Sequence, residues 1–231
     1  MNRRNQLLCT WSGAVYFGMF LVGFVLLARF LPPLPPLTSA EAVAQIFRDN
    51  TAPIRAGNML IMLCSGLAVS FAAAIAIQLR RIEGDAPVLA YVQLGAGTLT
   101  AIITLMPAMI WTLMAYRPER EPQTLLLLSD FAWIWLVMPV TSVVIQCLAV
   151  GLAILGDRGA VLVYPRWLGY FNLWLSFLLL PGSLITFFKT GPFAWNGLFT
   201  FWMPLSLFGL WYVVMIVATT GAIRRQAVVG R

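Results

Sequence analysis

Six stretches of mainly apolar residues follow one another along the chain, separated by short polar connections. A helix needs about 20 such residues to cross the hydrocarbon core of a bilayer. The stretches cover residues 8–31, 54–79, 87–116, 125–155, 167–188 and 195–223. The pattern predicts an all-α integral membrane protein, a single domain over residues 1–231 that is built as a bundle of six transmembrane helices.

Prolines within these stretches indicate where the helices change course. The third and fourth stretches are longer than one membrane thickness, so their helices must tilt, kink or protrude. Proline removes a backbone donor from a helix and is the usual site of a kink. We expect kinks at Pro107 and Pro139 in these two stretches, and at Pro181 and Pro204 in the last two.

The first connection is the only long one, and it predicts a short helix of its own. A proline-rich segment is followed by Thr38 and Glu41, which are spaced as in a capping box. Val43, Ile46 and Phe47 then fall on one apolar face. This face can lie on the bilayer or over the mouth of the bundle, and we favour a short interfacial helix over a lid.

Basic residues predict the orientation of the bundle. With both termini inside, the inner segments hold nine basic residues and the outer segments hold six, so the positive-inside rule favours cytoplasmic termini. The first stretch is longer than the apolar core of a cleaved signal, which has about 7 to 15 residues, so we expect it to remain as a span. The expected location is the bacterial plasma (inner) membrane.

Composition agrees with lipid as the main solvent and excludes several classes of function. Hydrophobic residues make up 61% of the chain and charged residues 10%, and the mean hydropathy is +0.87. The net charge of +7 is spread over the ends of apolar stretches, so the sequence predicts no nucleic-acid partner. Histidine is absent, no nucleotide or nucleophile motif occurs, and the three cysteines share no ligand spacing. We therefore predict no catalytic residue, no metal and no cofactor.

Polar residues inside the stretches form stripes at helical spacing, and these stripes should face the interior of the bundle. Gly66, Ser70 and Ala74 form a face of small residues at which another helix should pack, and the Gly95 and Gly97 pair should also allow a close approach. The stripes are as follows: Gln93, Gly97, Thr100, Thr104, Pro107 and Trp111 on the third stretch; Asp130 with Thr141, and Ser142 with Gln146, on the fourth; and Asn172, Ser176, Ser183, Thr186 and Lys189 on the fifth.

A group of polar, charged and aromatic residues converges at the predicted outer mouth. Asp130 should lie within the edge of the bilayer and be costly unless Arg55 or Lys189 pairs with it. For Trp111 and Trp195 we favour the interfacial aromatic belt over a ligand-binding role. The candidate ligand-binding residues are Arg55, Asn58, Asp130, Trp133, Lys189, Asn196 and Trp202.

Two functions of different classes fit these features. The first is the binding or transport of a small apolar or amphipathic molecule at the outer face, for which a mainly apolar pocket with a few polar groups would serve. The alternative is a non-catalytic accessory or scaffold subunit, in which the polar cluster only fixes helix register. A membrane-embedded enzyme ranks third, because Asp130 has no obvious second catalytic group. Beyond the lipid bilayer, the partners left open are a small apolar ligand, other membrane subunits and a second copy of the chain.

Overall fold

A computed structural model describes the backbone of residues 2–229 and the side chains of residues 2–226. Within this part of the chain, six helical segments are long and apolar enough to cross a membrane, which confirms the predicted six-helix bundle. They are Arg3–Leu27, Thr51–Glu83, Val88–Tyr116, Pro122–Gly156, Arg166–Phe187 and Leu198–Gln226. Their bounds lie within a few residues of those predicted.

Eight α-helices in the described residues build these spans and the first connection. α1 (Arg3–Leu21) continues as a π-helical turn, Val22–Leu27, and α7 (Arg166–Leu179) continues as a 3-10 helix, Leu180–Phe187. A second π-helical turn, Leu198–Trp202, precedes α8. The remaining helices are α2 (Ala40–Asp49), α3 (Thr51–Glu83), α4 (Val88–Tyr116), α5 (Pro122–Val137), α6 (Thr141–Gly156) and α8 (Met203–Val229).

The bundle has two ends, which we name from their connections. The terminal end carries Asn2, Gln226 and the connections at 84–87 and 157–165. The α2 end carries α2 and the connections at 117–121 and 188–197. α4 occupies the centre and packs against α3, α5 and α6, whereas α8 packs mainly against α1. α8 makes few close contacts with α7, so a gap opens on that side of the bundle.

Three of the four predicted prolines mark irregular backbone. The fourth span breaks at residues 138–140, around Pro139, and is therefore two helices. Pro181 lies at the start of the 3-10 helix, and Pro204 follows the second π-helical turn. Pro107 differs, because α4 runs through it as one continuous helix.

These irregularities correct two of the predicted polar stripes. Asn172 and Ser176 are buried as expected, but Ser183, Thr186 and Lys189 are exposed. The 3-10 segment has about 3.0 residues per turn instead of 3.6, so the helical register is lost after Leu179. The break at 138–140 likewise separates Asp130 from Thr141, which is exposed. The stripe on α4 is buried along its whole length, as predicted.

The predicted short helix is present as α2, and its apolar face is buried in protein. Val43, Ala44 and Phe47 are at most 2% exposed, and α2 packs against α5 at the end of the bundle. Ser39 caps the helix by accepting a hydrogen bond from the Ala42 amide at 3.3 Å. The apolar face therefore lies over the mouth of the bundle and not on the bilayer, so the favoured interfacial placement is wrong.

Helices approach each other closely at glycines that lie outside the predicted face of small residues. Gly66 is exposed, and a Cβ built on it meets nothing within 4 Å, so the predicted packing is wrong at Gly66, whereas Ser70 is half-buried and Ala74 is fully buried. Instead, a Cβ on Gly23 would lie 2.6 Å from the Gly57 carbonyl oxygen. Gly97 is also close-packed, since a Cβ there would lie 2.7 Å from Ala72 Cβ, whereas Gly95 has open space.

Candidate functional site

Arg55, the first predicted site residue, ties the start of α3 to the end of α4. Its Nε and Nη2 donate to the Ala115 carbonyl oxygen at 2.9 and 2.7 Å, and Nη2 also donates to that of Tyr116 at 3.0 Å. Its guanidinium carbon lies 5.7 Å from the centre of the Tyr116 ring. The last carbonyls of a helix lack partners within the helix, so a cation there stabilises the helix end.

Asp130 does not form the ion pair that the sequence suggested. It is half-buried on α5, and among the described residues no hydrogen bond or ion pair reaches its carboxylate. Lys189 interacts with it electrostatically, but this lysine is exposed on the 188–197 connection. Arg55 is committed to the carbonyl groups of α4. The expected Asp130–Arg55 pair is therefore wrong.

Asn58 and Trp133 are fully buried with polar atoms that have no partner in the described part of the chain. The Asn58 amide nitrogen donates to the Ile54 carbonyl oxygen at 2.9 Å, while its Oδ1 has no hydrogen bond. The Trp133 indole nitrogen is likewise without an acceptor. A buried polar atom without a hydrogen bond costs free energy. A bound water or ligand group that formed a hydrogen bond with either atom would therefore stabilise the protein.

Trp133 belongs to a ring-packed group that we call the aromatic cluster, formed by Phe24, Phe30, Trp111, Trp133 and Phe201. The Trp111 and Trp133 ring centroids are 5.2 Å apart, and those of Phe30 and Trp111 are 4.3 Å apart. Trp133 also contacts Phe24 at 6.3 Å and Phe201 at 6.1 Å. The cluster fills the interior of the bundle toward the α2 end.

Two tryptophans that we assigned to the interfacial belt are buried in protein. Trp111 is 2% exposed, because it falls on the inward face of α4 and packs in the aromatic cluster. Trp195 is 9% exposed, and its indole nitrogen donates to the Leu34 carbonyl oxygen at 2.7 Å. That bond joins the last connection to the first. The belt assignment was wrong for both residues.

The last two predicted residues, Asn196 and Trp202, lie away from the buried groups. Asn196 is half-buried in the 188–197 connection, and Trp202 is 39% exposed at the end of the π-helical turn. The structure therefore spreads the seven candidates over the α2 end. Only Trp133 belongs to the aromatic cluster.

A cavity of about 130 Å³ lies deeper in the bundle, and sequence reasoning missed it. It occupies the gap between α8 and the helices α4, α6 and α7. None of the seven candidates lines it, but Phe24 and Phe201 belong both to its wall and to the aromatic cluster. Other wall residues include Phe20, Thr100, Val140, Val143, Gln146 and Leu205.

Irregular backbone lines this cavity at two places. Val137, Pro139 and Val140 line it at the break in the fourth span, and Thr200 and Phe201 line it from the second π-helical turn. Gly182 of the 3-10 helix packs against the break, since a Cβ there would lie 2.6 Å from Val140 Cγ1. Non-helical backbone at membrane depth is tolerated where it lines a cavity or is buried in protein.

The wall of this otherwise apolar space includes a few polar residues, Thr100, Thr104, Gln146 and Thr200. Thr100 Oγ1 donates to the Gln146 Oε1 at 3.2 Å, and the Tyr16 and Thr104 hydroxyls are 2.9 Å apart. The Gln146 amide nitrogen makes no hydrogen bond with any residue that the structure describes. Gly97 makes room for it, because a Cβ on that glycine would lie 2.9 Å from the Gln146 Nε2.

Comparison with known proteins does not assign a function to this chain. No family model, curated protein or solved structure matches this chain. Among the described residues, no group of three or more His, Cys, Asp or Glu side chains could hold a metal ion.

Proposed function

We propose that the protein binds a small amphipathic molecule inside the membrane-embedded bundle, as a binding or transport component. The observation that carries this proposal is the apolar cavity between α8 and the α4, α6 and α7 helices, whose wall includes Gln146 as a polar residue. Its wall carries no charged side chain. Binding is therefore a better fit than catalysis.

The size of the cavity limits what can enter it. An engineered cavity of about 150 Å³ lined by apolar side chains stays dry and holds a benzene-sized molecule. A cavity of about 130 Å³ has room for one apolar group, such as a segment of an acyl or isoprenoid chain, rather than for a whole drug-sized ligand. We therefore propose that a chain enters the cavity while the rest of the ligand lies outside it.

Polar and flexible features of the wall support binding of an amphipathic chain. The Gln146 amide can donate a hydrogen bond to a hydroxyl, carbonyl or ether oxygen on that chain. The break at 138–140 and the π-helical turn at Leu198–Trp202 interrupt two helices that border the cavity. Such interruptions are the usual positions of hinges and of sites in membrane transporters.

The proposal can be tested with dodecanol and dodecane, which differ by one hydroxyl group. We expect dodecanol to raise the melting temperature of the detergent-purified protein more than dodecane does, because the Gln146 amide binds its oxygen. Val143→Phe fills the cavity from α6 and should reduce the effect of both compounds. Gln146→Leu should remove the advantage of dodecanol alone.

Leu152→Phe is the matched control, because Leu152 is on the same helix but 53% exposed to lipid. It should leave both responses unchanged. Equal responses of the wild type, Val143→Phe and Leu152→Phe would contradict binding in the cavity. Copurification of a stable protein partner with no retained small molecule would instead favour the accessory-subunit function.

A further inference from the structure

Two arginines line a separate pocket at the terminal end of the bundle. The pocket has a volume of about 310 Å³, within the range of about 300 to 1,000 Å³ usual for ligand sites. Arg81 enters it from the last turn of α3 and Arg225 from α8. Val161, Leu162 and Val163, from the 157–165 connection, complete its wall together with groups of α8.

Protein contacts hold both guanidinium groups in place. Arg81 Nη1 donates to the Gln78 Oε1 at 2.6 Å, and the Gln78 amide nitrogen donates to the Gln6 Oε1 at 2.7 Å. Gln6 and Gln78 are at most 5% exposed, so this relay fixes the position of Arg81. Arg225 Nη2 donates to the Val163 carbonyl oxygen at 2.9 Å.

Most of the donors on these two groups remain unused by the described residues. A guanidinium has five N–H donors, and the bonds above engage only Nη1 of Arg81 and Nη2 of Arg225. The two positive charges are close enough to repel each other. Both arginines are exposed, so water reaches the remaining donors. A bound phosphate can replace that water and relieve the repulsion, since guanidinium groups bind phosphate through paired hydrogen bonds.

Among the described residues, nearby carboxylates accept hydrogen bonds from backbone amides and form no ion pair with the two arginines, and Asp157 acts on Arg81 only at a distance. Asp157 accepts from the Gly159 and Val163 amides, both at 2.9 Å. Glu83 accepts from two amides in the first turn of α4, at 2.9 and 2.8 Å. In the described part of the chain, neither carboxylate forms an ion pair with Arg81 or Arg225.

Tyr164 does not supply a compensating negative charge either. Its hydroxyl lies 3.0 Å from that of Thr219, and burial raises the pKa of the tyrosine above its ordinary value. The phenol therefore remains neutral at physiological pH. The pocket keeps an excess of positive charge.

The position of the pocket indicates that its anion belongs to a lipid. Arg81 and Arg225 stand near the ends of spans, where headgroups lie. Val161 is 66% exposed on the rim of the same pocket, and Trp167 and Tyr170 are exposed in the first turns of α7. Exposed apolar and aromatic side chains beside cations suit the boundary between headgroups and acyl chains.

We propose that Arg81 and Arg225 together bind the phosphate of an anionic phospholipid headgroup at the terminal end of the bundle. Each guanidinium donates to a phosphate oxygen, and Val161 contacts the adjoining glycerol and acyl region. The site is independent of the cavity between α8 and α6. It would link the bundle to lipids of one leaflet.

The test measures how strongly the protein retains phosphatidylglycerol over phosphatidylcholine, by native mass spectrometry after exchange into mixtures of the two lipids. Arg81→Gln and Arg225→Gln should each weaken the preference about tenfold, because a hydrogen bond to a charged group is of that order. Arg80→Gln and Arg224→Gln change the net charge equally at neighbouring positions that do not line the pocket. These two controls should keep the preference.

Three outcomes would overturn the proposal. An equal loss in all four variants would show a diffuse effect of charge rather than a site. No loss in any variant would exclude the pocket. Displacement of phosphatidylglycerol by soluble glycerol phosphate at similar concentration would show that the site takes a free anion and not a lipid.

If Arg225→Gln folds poorly, a second variant at the same position distinguishes a loss of lipid binding from a loss of folding. Arg225→Lys keeps the charge but not the planar pair of donors, so we expect it to remain folded and to retain an intermediate preference. A folded Arg225→Lys protein with the full wild-type preference would contradict recognition by the guanidinium group.

Discussion

Two glycines determine how closely the first two spans approach each other. A Cβ on Gly23 would lie 2.6 Å from the Gly57 carbonyl oxygen, and one on Gly57 would lie 2.8 Å from the Ala28 amide nitrogen. Backbone atoms cannot move aside as flexible side chains can. In lipid, helix association depends on such close packing, because burial of apolar surface adds little there.

We predict that Gly57→Ala destabilises the protein by about 1 to 3 kcal/mol, the usual cost of overpacking. Gly66→Ala is the control on the same helix, since a Cβ there meets nothing within 4 Å. It should be neutral or slightly stabilising, because alanine favours helix. Melting curves in detergent measure both variants, and equal melting temperatures would contradict the close packing at Gly57.

The geometry around Asp130 predicts weak coupling to Arg55. Arg55 binds the carbonyl groups of Ala115 and Tyr116, and no described residue forms an ion pair with Asp130. We expect Asp130→Asn to change the free energy of unfolding by less than about 1 kcal/mol, because the half-buried carboxylate has no direct ion-pair partner among the described residues to lose. Arg55→Gln should destabilise the protein whether or not Asp130 is present.

A double-mutant cycle measures this independence. The coupling energy between Asp130→Asn and Arg55→Gln should be within about 0.5 kcal/mol of zero, as it is for sites without shared partners. A large loss in Asp130→Asn that Arg55→Gln rescues would show that the pair braces the bundle. Lys189→Gln provides the comparison with the cation that does interact electrostatically with Asp130.

Sequence reasoning identified buried residues better than it identified the cavity wall. Helical spacing placed Thr100, Thr104 and Trp111 on the inward face of α4, and all three are buried there. The belt assignment of Trp111 gave more weight to tryptophan's general preference for interfaces than to this spacing. Gln146 could be found as a polar residue within a span, but its neighbour across the cavity depends on helix packing, which one sequence does not specify.

At the scale of elements, α2 packs against the protein and does not lie on the bilayer surface. Phe47 is fully buried, and its ring lies 6.3 Å from that of Phe30 in the aromatic cluster. Arg48 Nε also donates to the Pro118 carbonyl oxygen at 3.0 Å, which joins α2 to the 117–121 connection. The helix thus covers the aromatic cluster from the α2 end.

We predict that Phe47→Ser releases α2 from the bundle, because loss of a buried phenylalanine costs about 3 to 5 kcal/mol. Limited proteolysis should cut the first connection faster, while the six spans stay folded. Ala42→Ser introduces the same residue on the exposed face of α2 and should leave the rate unchanged. Unfolding of the whole bundle by Phe47→Ser would show instead that α2 is part of its core.

Element positions were predictable because membrane thickness sets the length of an apolar stretch, and the prolines marked most of the breaks. The contacts that turn these breaks into a cavity were not predictable. They require α8 to stand apart from α6 and α7, while Gly182 brings the 3-10 helix against Val140. Such distances depend on side chains from five spans at once.

At the scale of the whole molecule, basic residues are more numerous in the segments of the terminal end than in those of the α2 end, nine against six. Arg81 and Arg225 lie there, whereas Arg55 lies at the α2 end. Lys and Arg are enriched in cytoplasmic connections of membrane proteins. We therefore expect the terminal end in the cytoplasm, with the aromatic cluster and α2 toward the outer surface and the proposed lipid site in the inner leaflet.

Cysteine labelling tests this orientation. After replacement of Cys9, Cys64 and Cys147, we expect Glu119→Cys to react with an impermeant thiol reagent in intact cells, while Asp85→Cys reacts only after the membrane is opened. Both positions are exposed, at opposite ends of the bundle, so accessibility within the fold does not decide the result. The reversed pattern would place α2 in the cytoplasm and the proposed lipid site in the outer leaflet, while the cavity between α8 and α6 would stay where it is. Labelling at both positions in sealed cells would mean that the chain inserts in two orientations, because a charge bias of nine basic residues against six is too weak to fix a single one.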